Sequence, residues 1–278
     1  YKRQSMSRAA QFEEQGYLFP VDVFSESEAA GFRSELERLE SRARDGRVGN
    51  KGQLNYPHVI FRFVDRIVRE PTMLDVVEEI LGPDLLVWAS TFFIKEARTD
   101  DYVSWHQDLR YWGLDDEDGQ VSAWIALSDV TVEAGCMQFL PGSHKGEMVE
   151  HRDTYSEANV LTRGQEAIVE VDESAVVHAR LKPGKASLHH GKLLHASAPN
   201  RSSDRRIGLA IQYVRPSVQQ TVARTDFAML VRGEDRYGHF EHVPSPREDL
   251  SEQARAWHNR ILTAQNEAMY EGVSNPAP

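Results

Sequence analysis

The sequence has one cysteine, no strongly basic segment and no long apolar run. A single cysteine, Cys136, cannot form an intrachain disulfide, so we expect a cytoplasmic protein in which Cys136 is a small buried apolar residue. The formal net charge of −11 argues against a nucleic-acid partner. No apolar run approaches the roughly 20 residues of a membrane span, and the first residues lack a signal peptide's apolar core. We therefore expect neither a membrane nor a nucleic acid as partner.

The composition that remains is that of an ordinary globular protein. Hydrophobic residues make up 40% of the 278 residues and charged residues 27%. The chain has no internal repeat and no low-complexity linker. We expect one domain over residues 1–278, as a monomer or a homodimer, with a small molecule as its partner.

The first part of the chain, about residues 1–84, has helical patterning. Ser25 and Glu28 can form a capping box at a helix start. The apolar residues after it recur at helical spacing and predict one buried face: Ala29, Phe32, Leu36 and Leu39. Residues 44–53 contain three glycines and predict a flexible loop. Pro71 opens a further predicted helix that stops at Gly82.

From Leu85 onward, short runs of strand-forming residues are separated by turn residues. The predicted strands cover residues 85–95, 121–127, 136–140, 168–171, 175–181, 186–189 and 207–214. Helical patterning returns at residues 245–270. We therefore predict an α+β fold with a mainly β core, a double-stranded β-helix of the jelly-roll, cupin-like type. This core takes about residues 85–216, between the helical first part and a C-terminal helical extension at about 217–278.

The chemistry is concentrated in His106 and Asp108, together with His195, 87 residues after the aspartate. Residues i and i+2 of a strand point the same way, so His106 and Asp108 can reach one metal ion from a single strand end. Two imidazoles and one carboxylate are the ligands of a non-haem Fe(II) oxygenase, a set that leaves metal positions open.

His189 and His190 compete with His195 for the role of third ligand. Five other histidines lie in polar stretches, where we expect surface positions: His144, His151, His239, His242 and His258. Eleven residues after His195 stands Arg206, and this spacing favours His195.

The pattern His-x-Asp, then His, then Arg eleven residues on resembles the phytanoyl-CoA dioxygenase family of Fe(II)/2-oxoglutarate-dependent oxygenases. Three further segments are similar to family motifs: Glu-Gln-Gly-Tyr-Leu at 14–18, Phe-Ile-Lys at 93–95, and Gly-Cys-Met-Gln-Phe-Leu-Pro-Gly-Ser-His-Lys at 135–145. The resemblance extends over about residues 12–216. It is the combination of these motifs that is specific.

The resemblance implies a site for the co-substrate 2-oxoglutarate. Arg206 would hold its distal carboxylate, since a guanidinium pairs with both carboxylate oxygens. Ser197 would add a hydrogen bond, Trp124 would line the pocket, and Thr91 is a weaker candidate. Arg205 is the alternative to Arg206, because neighbouring strand residues point to opposite faces.

The activity implied is Fe(II)-, 2-oxoglutarate- and O2-dependent oxidation of a C–H bond, most simply hydroxylation, with release of succinate and CO2. Oxidative cyclisation and desaturation are open to the same chemistry. Halogenation is disfavoured, because Asp108 occupies the position that chloride would need. A non-catalytic jelly-roll protein that binds a metal or ligand is the alternative of another class.

The substrate is expected to be a small polar metabolite or natural-product intermediate, since no basic patch suits coenzyme A. Five residues are candidates for contacting it: His58, Arg62, Arg110, Tyr111 and Gln138.

Overall fold

The structure, a computed structural model, describes residues 6–42, 53–161, 163–223 and 225–270. The helices in these ranges are α1 (Arg8–Gln15), α2 (Glu26–Arg42), α3 (Pro57–Ile60), α4 (Arg62–Val68), α5 (Pro71–Leu81) and α6 (Glu252–Tyr270). The strands are β1 (Tyr17–Asp22), β2 (Gln53–Asn55), β3 (Leu85–Lys95), β4 (Val103–His106), β5 (Gln120–Ala126), β6 (Met137–Phe139), β7 (His151–Asp153), β8 (Gln165–Ala167), β9 (Val177–Ala179), β10 (Lys185–His189), β11 (His195–Ser197), β12 (Arg206–Val214), β13 (Phe227–Arg232) and β14 (Glu241–His242). Among the described residues, no helix combines the length and apolar character that crossing a bilayer requires.

Two sheets form the body of the β core. The larger has the strand order β1-β10-β5-β12-β3-β13-β14, with β2 also paired to β3, and the smaller has the order β4-β11-β6-β9. A separate hairpin pairs β7 with β8. At the centre of the larger sheet, β3 and β12 run antiparallel from Lys95 opposite Arg206 to Leu86 opposite Val214.

Apolar cores cover both faces of the larger sheet. One face packs against a helical layer to which every helix contributes a buried residue: Phe12, Phe32, Val59, Val64, Val77 and Ile261. The other face meets the smaller sheet, where Trp124 of β5 and Phe139 of β6 belong to one cluster. Because side chains alternate along a strand, polar residues that avoid the helical layer point between the sheets.

The predicted fold class, α+β with a jelly-roll core, is confirmed. The capping box also forms: the Glu28 amide donates to the Ser25 hydroxyl over 3.2 Å, and the Ser25 amide donates to the Glu28 carboxylate over 3.0 Å. The face predicted for this helix is buried at Ala29, Phe32 and Leu36. The predicted loop at residues 44–53 lies outside the described residues, except for Gln53 in β2.

The β core extends beyond residues 85–216 on both sides. Strands β1 and β2 lie within the segment expected to be helical, and β13 and β14 lie within the C-terminal extension. Pro20 interrupts the pattern of β1, and the register of β1 on β10 shifts between Leu18 and Val21. A segment of three residues such as β2 is too short for periodicity to reveal.

Three predicted elements differ from the structure by more than one residue at an end. Residues 168–171 are not a strand, because β8 ends at Ala167 and the Ile168 side chain is 53% exposed. The strand expected at 175–181 is limited to Val177–Ala179. The last helix begins at Glu252, since the residues from 245 to 251 are irregular.

Candidate metal centre

His106 and His195 are brought together by the antiparallel pairing of β4 with β11. They are register partners at one end of this pair, and their ring centroids are 4.0 Å apart. Both side chains are buried. Pairing of two strands distant in sequence thus joins the two imidazoles that the sequence analysis selected.

A backbone carbonyl orients each of these imidazoles. Nδ1 of His106 donates to the Ser104 carbonyl over 2.8 Å, and Nδ1 of His195 donates to the Leu193 carbonyl over 2.9 Å. Since a carbonyl oxygen only accepts, Nδ1 carries the proton in both rings. Each Nε2 is left with a lone pair directed into the site, as in a metal-binding histidine.

Asp108 follows β4 after a single extended residue, Gln107. The Gln107 side chain points the other way, donating to the Lys192 carbonyl over 2.8 Å and accepting from the Val149 amide over 2.9 Å. Strand-like alternation therefore continues past β4 and returns the Asp108 carboxylate to the side of His106.

The Asp108 carboxylate faces both imidazoles with one oxygen. Its Oδ1 is 3.2 Å from Nε2 of His106 and 3.8 Å from Nε2 of His195. Its Oδ2 accepts from the Ser122 hydroxyl over 3.2 Å and lies 3.4 Å from Nε2 of His189. One oxygen is thus available to a metal while the other is held by the protein.

The three side chains form a metal-binding cluster: their ligand atoms lie within 4.8 Å of one another. Burial and the neighbouring His106 lower the pKa of His195 well below its usual range. For Asp108, burial acts to raise the pKa, but the neighbouring His195, His106 and His189 lower it well below normal. A neutral His195 and an ionised Asp108 are the protonation states that a metal ion requires.

The two histidines that competed with His195 have other contacts. His189 touches Asp108, and its buried Nδ1 has no hydrogen-bond partner among the residues described. His190 bonds Asp118 through Nε2 and accepts from the Lys192 amide through Nδ1, so both of its nitrogens are used. Three of the histidines expected at the surface are also enclosed: His144 is buried, and His151 and His258 are half-buried.

A buried arginine lies in the same cavity as the cluster. Arg206, the first residue of β12, is 2% exposed and donates to the Gly135 carbonyl over 3.2 Å. Its guanidinium lies over the Trp124 ring at 5.2 Å, and its Nε has no hydrogen-bond partner within the part of the chain that the structure describes. Burial lowers the pKa of Arg206 to about 10. The guanidinium is still charged at neutral pH, and such a group calls for an anion.

Arg205 points the opposite way. Its guanidinium pairs with Glu40 of α2 over 2.8 Å and with Glu96 over 2.9 Å, at the surface of the larger sheet. Only Arg206 of the two enters the cavity.

His106, Asp108 and His195 all line this cavity. Ser197 and Trp124 also line it, as does His189. Its apolar wall consists of Phe93, Val103, Met137, Leu161 and Ala210. Thr91 is not among the lining residues, and its hydroxyl donates to Asn55 over 3.1 Å.

Gly208 gives Trp124 its place in this cavity. A Cβ at Gly208 would lie 1.8 Å from Cζ2 of Trp124 and 2.2 Å from Cε2. The indole therefore lies directly against the backbone of β12, where only glycine leaves room.

The five candidates for substrate contact are dispersed. His58 is buried in the helical layer, where its Nδ1 is 2.6 Å from the Ser90 hydroxyl. Arg62 is exposed, and Gln138 alternates with Met137 and so lies off the cavity wall.

Arg110 and Tyr111 line a second pocket together with His151, Asp153 and Arg163. His151 accepts from the amide of Gln107, next to the metal ligands. Two of the five candidates thus lie beside the metal motif.

Sequence reasoning assigned no role to two buried residues of the site. Lys95 ends the motif Phe-Ile-Lys and contacts Ser197, while His189 was considered only as a metal ligand. A lysine at the end of an apolar strand was the available signal for the first.

Comparison with known proteins agrees with this geometry. A family model described as Phytanoyl-CoA dioxygenase (PhyH) matches residues 12–208, more than two thirds of the chain. The chain belongs to this family. The predicted family is thus confirmed, and with it the enzyme class: a non-haem iron dioxygenase that uses 2-oxoglutarate.

Two curated proteins are similar to the chain at moderate identity. A probable alpha-ketoglutarate-dependent hypophosphite dioxygenase of Stutzerimonas stutzeri is 28% identical over 66% of this chain and 65% of its own length. L-proline trans-4-hydroxylase of Streptomyces griseoviridis is 27% identical over 72% of this chain and 82% of its own length.

Two solved structures match most of the chain. The non-heme monooxygenase ThoJ, in its apo form, superposes with a TM-score of 0.86 at 33% identity, covering 97% of this chain and 100% of ThoJ. The epimerase SnoN, solved with Fe3+, alpha ketoglutarate and nogalamycin RO, has a TM-score of 0.64 over 76% of this chain and 84% of SnoN. At 21% identity, SnoN supports the fold alone.

Proposed function

We propose that this chain hydroxylates a C–H bond of a small polar metabolite or natural-product intermediate, with Fe(II), 2-oxoglutarate and O2, releasing succinate and CO2. One observation supports this most directly: a three-ligand metal cluster and a buried arginine line the same cavity. Among the described residues, that arginine has no carboxylate partner. A metal-bound dicarboxylate would satisfy both.

In the proposed site, His106, Asp108 and His195 hold the iron. The two imidazoles would use Nε2, which their carbonyl contacts leave free, and Asp108 would use Oδ1. His189 and Ser122 hold the other carboxylate oxygen and so orient the ligand. Three protein ligands leave the remaining positions to small molecules.

Arg206 and Ser197 would bind the distal carboxylate of 2-oxoglutarate, with Trp124 beneath the guanidinium. A charge-assisted pair of this kind gains strength from burial, because little water competes with it. Thr91 stays a weaker candidate, since its hydroxyl is engaged by Asn55.

The iron and co-substrate, when bound, supply activation of O2 and removal of a hydrogen atom from the substrate carbon. The chain's own part is positioning and exclusion of water. Phe93, Val103 and Leu161 form apolar wall next to the ligands. Such a wall keeps water from the reacting atoms.

Arg110 and Tyr111 are the candidates for substrate contact that lie near the iron motif. The names of two relatives, a proline hydroxylase and a hypophosphite dioxygenase, support a small polar substrate.

Other products of the same oxidation are distinguished by mass: hydroxylation adds one oxygen, whereas desaturation and cyclisation each remove two hydrogens.

The test is a screen of small polar metabolites and natural-product intermediates with the Fe(II)-loaded protein. Anaerobic binding of Fe(II) and 2-oxoglutarate is measured first, and succinate is measured after O2 is admitted. We expect binding, slow succinate release without substrate and faster release with the right compound. A folded protein that binds neither Fe(II) nor 2-oxoglutarate would contradict the proposal and favour a non-catalytic binding protein.

A further inference from the structure

Lys95 is a buried lysine at the end of β3. It is 1% exposed and is the register partner of Arg206 on β12. Its Nζ donates to the Ser197 hydroxyl over 2.6 Å, the Ser197 carbonyl over 3.1 Å and the Ala198 carbonyl over 2.7 Å. An ammonium group has three N–H donors, and these three acceptors use all of them.

This arrangement determines what the Ser197 hydroxyl can do. Its oxygen already accepts from Lys95, so its own proton must be directed elsewhere. Ser197 lines the metal cavity together with Arg206. A hydroxyl held in this way is prepared to donate to an acceptor inside the cavity.

The basic side chains of Lys95 and Arg206 indicate that the acceptor of the Ser197 proton is an anion. Among the described residues, neither Lys95 nor Arg206 has an ion pair with a carboxylate; their recorded partners are carbonyls, the Ser197 hydroxyl and the Trp124 ring. Arg206 lines the metal cavity, and Lys95 bonds the Ser197 hydroxyl that lines it too, so both basic groups would stabilise an anion bound there.

We propose that Lys95 is a positioning residue of the 2-oxoglutarate site, which turns the Ser197 hydroxyl proton toward the distal carboxylate and adds a second positive charge beside Arg206. This inference rests on the proposed function. It gives a role to the lysine of the Phe-Ile-Lys motif, which the metal and arginine contacts leave without one.

A purely structural role is the competing explanation, in which Lys95 only ties β3 to the segment after β11. That tie exists without the ammonium. The Asn200 side chain donates to the carbonyls of Lys95 over 3.2 Å, Glu96 over 3.0 Å and Asp204 over 2.8 Å. Asn200 thus connects these segments independently of the Lys95 side chain.

The experiment compares two 2-oxo acids of equal chain length on Fe(II)-loaded protein without O2. 2-Oxoglutarate has the distal carboxylate and 2-oxopentanoate lacks it, so their ratio of dissociation constants isolates the distal site. We expect Lys95→Met to raise the dissociation constant of 2-oxoglutarate about tenfold to a hundredfold, the effect of losing a hydrogen bond to a buried charge. The dissociation constants of 2-oxopentanoate and of Fe(II) should be unchanged.

Ser197→Ala provides a second, milder variant, because it leaves Lys95 bonded to its two carbonyls. It should raise the dissociation constant of 2-oxoglutarate but not that of 2-oxopentanoate. In the double variant, which combines Lys95→Met with Ser197→Ala, the loss of affinity should be smaller than the product of the two single fold-changes. The proposal is overturned if Lys95→Met raises the dissociation constants of both oxo acids equally. It is also overturned if Ser197→Ala leaves the preference for 2-oxoglutarate over 2-oxopentanoate unaltered. A wild-type protein that binds neither oxo acid contradicts the proposed function instead.

Discussion

His106 and His195 face each other as register partners across β4 and β11, with their ring centroids 4.0 Å apart. Each ring is fixed by one backbone carbonyl, and Asp108 points one oxygen at both. The metal site is thus prepared by backbone pairing before any metal binds.

Loss of either imidazole should abolish Fe(II) binding. We expect His106→Ala and His195→Ala to lose metal-dependent succinate formation while their circular dichroism stays that of the wild type. His178→Ala is the matched control, because His178 lies on β9 outside the cavity lining. Calorimetric titration with Fe(II) under anaerobic conditions checks this, and an unaltered affinity in His195→Ala would show that another residue is the third ligand.

The two adjacent arginines should differ sharply. Arg206→Gln removes the buried guanidinium. It should reduce the binding free energy of 2-oxoglutarate by about 1.5–3 kcal/mol, the contribution of a hydrogen bond to a charged group. Arg205→Gln removes ion pairs with Glu37, Glu40 and Glu96 outside the cavity, whose contribution to 2-oxoglutarate binding should be small. Anaerobic titration of both variants decides the matter, and equal losses would argue against the assignment.

Gly208→Ala should displace Trp124. The new methyl group would overlap the indole, and overpacking of this kind costs about 1–3 kcal/mol of unfolding free energy. Trp124→Phe in the same chain should restore part of that loss, because it removes the indole atoms that the methyl group meets. Gly31→Ala is the control, since a Cβ there meets nothing within 4 Å. Urea unfolding of the three variants measures the effect; a fully stable Gly208→Ala would contradict it.

Binding of 2-oxoglutarate should take up a proton. Burial and the nearby Arg206 lower the pKa of Lys95 to about 6, while Asp101 and Cys136 act in the opposite direction. Above this pH the amine is mostly neutral, and a carboxylate placed beside it raises the pKa again. The affinity should therefore fall as the pH rises above about 6.

Calorimetry in buffers of different ionisation enthalpy measures this uptake. 2-Oxopentanoate and the Lys95→Met variant serve as controls without it. Binding of 2-oxoglutarate with no proton exchange between pH values well above 6 would be the contrary result.

The sequence predicted the residues of the metal site more accurately than it predicted the bounds of the strands. The metal site could be predicted without knowing which strands pair. Its prediction needed only the residue types and the spacing of His106, Asp108, His195 and Arg206. By contrast, β4 and β11 are only four and three residues long, so periodicity could not predict the strands that bear the ligands.

The substrate candidates depended on a different kind of information. His58 is near the strands in sequence, but it packs in the helical layer on the far side of the larger sheet. Gln138 differs from Met137 only by alternation, and alternation does not reveal which face meets the cavity. Which layer covers a residue is a property of tertiary packing.

The shortness of β4 and β11 has a mechanical consequence. Few backbone hydrogen bonds hold these strands together, and their ligands belong to segments far apart along the chain. A metal ion bound by His106, Asp108 and His195 would close a loop of more than eighty residues, as a covalent cross-link does. The smaller sheet would then owe much of its rigidity to the same ion that performs the oxidation.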